Sequence, residues 1–442
     1  MATLVDARDR YVAEYERLAR HDRPADPAWL RPLRRAAIAR FAEAGFPTTR
    51  DEDWRYTSLA ALAATPFGAA PEADGDGLPA EIVERLVLGG GAWPRLVFVD
   101  GRYSARHSSV PAMAGGARAV SLAAAMGTDR GLVEGALAGA AGVFADLNTA
   151  FVHDGALVVV PAGARLPAPI ELLFVSRTPG IAIQPRIVVV AGPHSQVSLV
   201  ERYVGLTGEP YFTNTVTGLT AGPGATVDHY VLQEQGAEAF HVATSHATLE
   251  RDSAVATCGV AFGGRLARTT LTMTLAGPGA RATLRGLYVV GGRQHVDNHL
   301  TVDHAVPHGV SRQLYKGVLD GQARAVFNGR ILVRPDAQKT DAAQTNKHLL
   351  LSDGVEVDSK PQLEIFADDV KCTHGAAEGQ LAPEALFYLR SRGLGEATAR
   401  GLLTYGFARE VLEHVAIEPI RAHVDHLLTA RLRPSPAPEE IA

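Results

Sequence analysis

The chain has 442 residues, enough for two or three domains and a sizeable core. Hydrophobic residues make up 46% and charged residues 21%, ordinary for a globular protein, and a net charge of -5 gives no electrostatic case for nucleic acid or an acidic membrane as partner. Two cysteines, Cys258 and Cys372, are too few for a disulfide framework, and no apolar run reaches membrane-span length or forms a secretory segment behind Asp6, so a cytoplasmic home with reduced thiols is expected.

Residues 1–94 read as an N-terminal helical region and linker. Residues 5–18 put Val12, Tyr15 and Leu18 on one side of a helix. Pro27 suits the start of a second helix toward Ala44, which Gly45 ends and Pro47 keeps from resuming. The polar loop that follows embeds Trp54 and Tyr56, aromatics expected to plug a core. Residues 67–80, rich in Gly, Ala, Pro and Asp, read as linker.

At Arg95 the pattern changes, and residues 95–381 read as a β core. Residues 96–103 form strand, turn, strand, and an Ala- and Gly-rich helical excursion occupies roughly 119–150. After Ala156 short alternating strands follow one another, separated by small-residue turns such as Ala221-Gly-Pro-Gly-Ala and Ala276-Gly-Pro-Gly-Ala. From residue 192 onward these turns recur every 25 to 30 residues or so, with one larger gap. A β-solenoid fits, since each coil buries its inner face against the next, but the irregular period leaves a β-sandwich open. From residue 382 the chain is helical again. Pro383 suits a first helical position and Gly393 the residue past its end. A second helix over 396–414 carries Leu402, Leu403, Phe407, Val411 and Leu412, and a third spans 419–432 with a Pro-rich, frayed tail after it.

Several chemistries are excluded by their motifs. No Gly-Lys dipeptide occurs, so there is no Walker A loop, and Gly222-Pro-Gly and Gly277-Pro-Gly lack the third glycine of a dinucleotide fingerprint. Neither a Gly-x-Ser-x-Gly elbow nor a His-Glu-x-x-His helix is present. His295, His299, His304 and His308 gather in sequence, but strands would place them on mixed faces.

The pair Cys372-Thr-His374 is the candidate site. In a strand, residues i and i+2 share a face with α-carbons roughly 6.6–7 Å apart, so thiolate and imidazole can face one metal or cluster. Cys372 is equally explained as a buried core thiol, as is Cys258 in its apolar surroundings. All five lysines, Lys316, Lys339, Lys347, Lys360 and Lys371, fall in one part of an otherwise arginine-using chain. Lys371, beside Cys372, is expected to support the site by lowering the thiol pKa.

Specific runs then carry a resemblance. They are residues 311–319 (Ser-Arg-Gln-Leu-Tyr-Lys-Gly-Val-Leu), 327–331 (Phe-Asn-Gly-Arg-Ile), 341–352 (Asp-Ala-Ala-Gln-Thr-Asn-Lys-His-Leu-Leu-Leu-Ser), 361–365, 369–376 and 386–393. Residues 52–57 and 96–101 extend it toward the N-terminus. With these runs the chain resembles the SufB/SufD family, scaffolds of SUF iron–sulfur cluster assembly, and favours the SufD branch. The resemblance implies a right-handed parallel β-helix flanked by N-terminal and C-terminal helical regions, and a non-catalytic scaffold role. It also implies a SufB-like partner at the β-helix end, a SufC-like ATPase on the C-terminal helices, and a transient iron–sulfur cluster at the SufB–SufD interface, with none expected in the isolated protein. His374 matches the position proposed to supply a ligand from this side, with Cys372 beside it. Phe387, Tyr388, Leu403, Tyr405 and Phe407 are the candidate docking residues, being more large apolar side chains than a short helical cap needs. A SufB-type homodimer and a β-helix enzyme acting on glycan or acyl substrates are the alternatives. Scarce cysteine opposes the first and missing carboxylate clusters the second.

Overall fold

In a computed structural model, described over residues 3–20, 26–70 and 75–432, strict alternation of inward and outward residues builds the middle of the molecule. Strands Phe212–Ala221, Phe240–Leu249, Leu266–Leu275, His295–His304, Arg324–Val333 and Glu356–Ile365 stack in one sheet. Strands Thr226–Glu234, Ala254–Ala261, Arg281–Val290, Val310–Leu319, Asp341–Leu350 and Lys371–Gly379 stack in the other. Each strand crosses to the opposite sheet, and all pairs within these two stacks are parallel. Consecutive strands of a sandwich would pair antiparallel. This is a β-solenoid of about 8 turns, which resolves the choice that the sequence pattern left open.

Inward positions bury Val227, Val255, Ala282, Leu219, Met273, Val302 and Phe327, the last with its ring centroid 5.4 Å from that of Tyr315. One corner of the coil needs a left-handed residue at every turn. His194, Gly224 and Asp252 take it with φ of 57, 67 and 56°, and their amides bond to the carbonyls of Pro223, Arg251 and Pro278 in the next coil. The Gly-Pro-Gly turns serve this corner, since glycine enters that region without the penalty of a Cβ.

Helices α1 (Leu4–Arg20) and α2 (Leu30–Ala44) pack with α3 (Val143–Phe151) over the first sheet. The buried aromatics of this packing are Phe41, Phe46, Phe144, Phe151, Phe212 and Phe240, with Tyr11, Tyr15, Trp54 and Phe67 packed against them. Helix α2 begins at Leu30 rather than Pro27, which instead accepts the Leu30 amide in a turn. Trp54 plugs as expected, stacked on Phe144 with the Arg268 guanidinium 3.7 Å from its ring centre. The expected linker holds a two-residue strand, Gly68–Ala69, paired with Ile181 and Ala182, and its residues 71–74 lie outside the described residues.

Three helices, α4 (Pro383–Ser391), α5 (Glu396–Leu412) and α6 (Glu418–Leu432), follow the solenoid. Ala408, Val411, Leu412, Ile420, Val424 and Leu428 cover the outer face of the second sheet at Leu232, Val260, Leu287, Val289 and Val318. Leu402, expected in the buried stripe, is instead 49% exposed. The tail expected to fray lies outside the described residues.

Candidate functional site

The last coil is an open edge. Among the described residues, Glu356–Ile365 pairs only with Arg324–Val333, and Lys371–Gly379 only with Asp341–Leu350. The chain does not run straight from Leu363 to His374 as one strand; it turns after Ile365 and changes sheet. Cys372 and His374 do share one strand, in register with Ala342 and Gln344 of the coil before. Ala342 is buried with Ile331 and Val333, so the candidate pair lies on the lumen-facing side. His374 is exposed, while half-buried Cys372 packs on that small apolar cluster with Leu363 and Val370.

Lys371 precedes Cys372 on the strand and therefore points to the opposite face. The expected lowering of the thiol pKa is reversed: burial, then the charge of Asp341, raises it, against a backbone hydrogen bond at Ala342. Cys258 lies under α5 and α6, where burial pushes its pKa to about 12. Alkylation of the folded chain with iodoacetamide near pH 8 should therefore modify Cys372 and reach Cys258 only after unfolding. Equal labelling of both would contradict this placement.

Two other lysines, Lys316 and Lys360, tie the last coils to the helical regions at the ends of the chain, and Lys339 ties one coil to the next. Buried Lys316 donates to the Phe407 carbonyl at 2.9 Å and to the Glu410 carboxylate, with its ammonium 4.3 Å from the Phe407 ring centre. Lys360 in the last coil pairs with Glu52, and Lys339 with Asp369. The histidine group scatters: His299 lies 3.1 Å from the Asp297 carboxylate, His295 bonds Thr57 at 3.2 Å, His304 turns inward to Ser311, and His308 sits at the left-handed corner. Among the described residues no group of three or more His, Cys, Asp or Glu is placed to hold a metal ion.

The docking candidates divide. Phe387 is 74% and Tyr388 56% exposed, and Leu402 joins them on the surface. Phe407 instead packs toward the second sheet, Leu403 is half-buried, and Tyr405 donates its hydroxyl to Asp425.

Two polar features of the lumen were not read from the sequence. Buried Glu201 accepts from Tyr203, Thr217 and His229 at 2.8–3.0 Å beside a cavity of about 70 Å³ that also touches His241 and Asn298. Burial alone would raise the Glu201 pKa, but the His229 charge and these hydrogen bonds hold it below the usual value. Below the open edge, His348 bonds Tyr288 and reaches Ser359 at 3.5 Å, and Asn346 donates to Ser359 at 3.3 Å. Polar residues at inward register positions are the signal that could have found them.

A parallel β-solenoid flanked by helices, with Cys372 and His374 on one face of its last coil, is the class of protein defined here. The SUF system FeS cluster assembly, SufBD core domain model matches residues 174–407, and the SufBD protein N-terminal region model matches residues 5–172. The chain is 35% identical over 399 residues, 87% of each chain, to an iron–sulfur cluster assembly SufBD family protein of Synechocystis sp.. It is 30% identical over 403 residues to the iron–sulfur cluster assembly protein SufD of Escherichia coli, covering 89% of this chain and 91% of the relative. Identity to SufD of Bacillus subtilis is 27% over 291 residues, 65% of this chain and 66% of the relative. The chain belongs to the SufBD family of SUF iron–sulfur cluster assembly, and is SufD-like.

Proposed function

We propose that this protein is a non-catalytic scaffold subunit of a SUF complex, presenting one side of a cluster-holding site to a SufB-like partner and docking a SufC-like ATPase. The observation that carries the reading is the placement of Cys372 and His374 on the lumen-facing side of an edge coil. Two soft ligands are fewer than an iron–sulfur cluster takes, so capture of the cluster, as cargo, requires thiolates from a second surface. Imidazole is a neutral ligand that can replace thiolate on iron, leaving the cluster less negative than a fourth thiolate would. ATP chemistry is imported, because the chain carries no Walker A loop.

Co-purification tests the assembly. The tagged protein should retain a cysteine-richer homologue and a P-loop ATPase, and should hold little iron alone. Isolation without either partner, carrying a full cluster, would overturn the reading.

The exposed aromatics of α4 supply the ATPase dock, because buried aromatic anchors dominate the energy of protein interfaces. Deleting 383–442 is a poor test, since it would bare the apolar outer face of the second sheet that α5 and α6 cover. Point variants are cleaner. Phe387→Ala with Tyr388→Ala should weaken ATPase affinity by at least ~10-fold, as truncated anchors do, while leaving the melting temperature unchanged. Unaltered affinity by titration calorimetry would place the dock elsewhere.

A further inference from the structure

The geometry points to Gln344 as a positioning residue that holds the imidazole of His374 in one tautomer. The inference rests on the reading of His374 as a ligand and adds the acceptor which that reading requires. An imidazole that gives one nitrogen to a metal directs the other N–H to an oxygen acceptor, which sets tautomer and ring orientation. Among the described residues the His374 ring makes no hydrogen bond, and it stands exposed at the mouth of the lumen.

Gln344 is the residue directly in register with His374 on the neighbouring parallel strand. Neighbouring strands lie roughly 4.8 Å apart, and register partners point to the same face. Gln344 is only 2% exposed, and its side-chain oxygen is buried with no hydrogen-bond partner. Its side-chain nitrogen donates to the Gly329 carbonyl at 3.3 Å. A carbonyl can only accept, so this contact fixes which end of the amide is nitrogen and leaves the oxygen free. The seat for the amide is built: a Cβ at Gly329 would stand 2.5 Å from the Gln344 nitrogen and 2.8 Å from its oxygen. A buried acceptor left unmade is costly, and a donor arriving one rung above relieves it. Because the amide is neutral, it orients the imidazole without adding charge beneath the cargo.

The test uses the full chain and two readouts. Imidazole ¹⁵N correlation spectra at pH 8, assigned against His374→Ala, should show one dominant tautomer of His374. Gln344→Met removes a strong acceptor at similar volume and should return the ring to a mixture of tautomers, whereas Gln344→Glu keeps an acceptor oxygen and should preserve the bias. Gly329→Ala displaces the amide from its seat and should mimic Gln344→Met with Gln344 still present. In the complex reconstituted with a SufB-like partner, Gln344→Met should lower iron and sulfide content ~10-fold, as loss of a supporting contact to a metal ligand does, with circular dichroism and partner binding unchanged. A wild-type tautomer ratio in both Gln344→Met and Gly329→Ala overturns the positioning role, whatever the cluster content. Loss of the bias with full cluster content in both Gln344→Met and His374→Ala overturns instead the ligand reading on which the role depends.

Discussion

His374→Ala is expected to leave folding and partner binding intact and to cut the cluster content of the reconstituted complex by ~10-fold or more. The stability expectation follows from exposure, since substitutions at such positions usually stay within ~0.5 kcal/mol. The effect on cargo follows from ligand count: residues that merely support a metal ligand cost 10–100-fold or so when lost, and the ligand itself should cost no less. Cys372→Ala should do less harm, because Cys372 packs against Leu363 and Val370 and burial raises its thiol pKa. Visible absorption together with iron and sulfide analysis decides the matter. A His374→Ala complex with full cluster content would remove the imidazole from the site.

Asp297→Ala is expected to destabilise the protein by about 3–5 kcal/mol, the cost of stripping one partner from a buried ion pair. Asp297 is fully buried on the outer face of the first sheet, paired with Arg268, itself 2% exposed. The same carboxylate accepts from Thr57 at 2.5 Å and lies 3.1 Å from the His299 ring nitrogen, so it fastens the N-terminal loop to the solenoid. Without it Arg268 keeps its charge against the Trp54 ring, with the Asp53 charge as a lesser electrostatic neighbour. Burial alone would raise the Asp297 pKa, but the Arg268 charge and the His299 and Thr57 contacts outweigh it and hold the carboxyl down at about 2. The folded value lies below the ordinary 3.8, so this contribution is complete above pH 3.8 and is lost as pH falls toward 2. Urea melts should therefore show a wild-type advantage at pH 7 that shrinks through that window. Limited proteolysis should cut the variant first in the 48–58 loop. An advantage that stays constant down to pH 2 would rule the pair out as its source.

The sequence made the β core legible because alternation and Gly-Pro-Gly turns are local signals. It could not choose between solenoid and sandwich, since inward-outward alternation is the same in both and only the pairing partner differs. The resemblance to a known family made that choice. The shared face of Cys372 and His374 followed from strand period alone. Lys371 was misread for the same physical reason: adjacency in sequence is opposition across a strand. On the helices, Leu402 and Phe407 carry similar hydrophobicity, yet one faces solvent and the other the sheet, a distinction set by which helix face docks. Gln344 could not be singled out because its role depends on Gly329, a residue of the opposite sheet.

The open edge has a consequence for self-association. At the other end of the solenoid each sheet finishes in an antiparallel strand, Arg102–Ser109 or Arg118–Ser121. Among the described residues the last coil has no such finish, and an unpaired strand is a template on which identical chains can stack. Three of the outward positions of its strand Glu356–Ile365 are acidic, with Lys360 and Gln362 between them. Glu356 and Asp358 pair back to Arg324, and Glu364 to Arg330, one coil earlier. The arginines of one coil are thus answered by carboxylates of the next, and the described coils stop on the carboxylate side. A second copy meeting this edge head to head would bring the same mostly acidic strand against it, and like charges facing each other are unfavourable. Charge thus disfavours self-pairing at this edge, and a strand written with the complementary sign meets no such penalty.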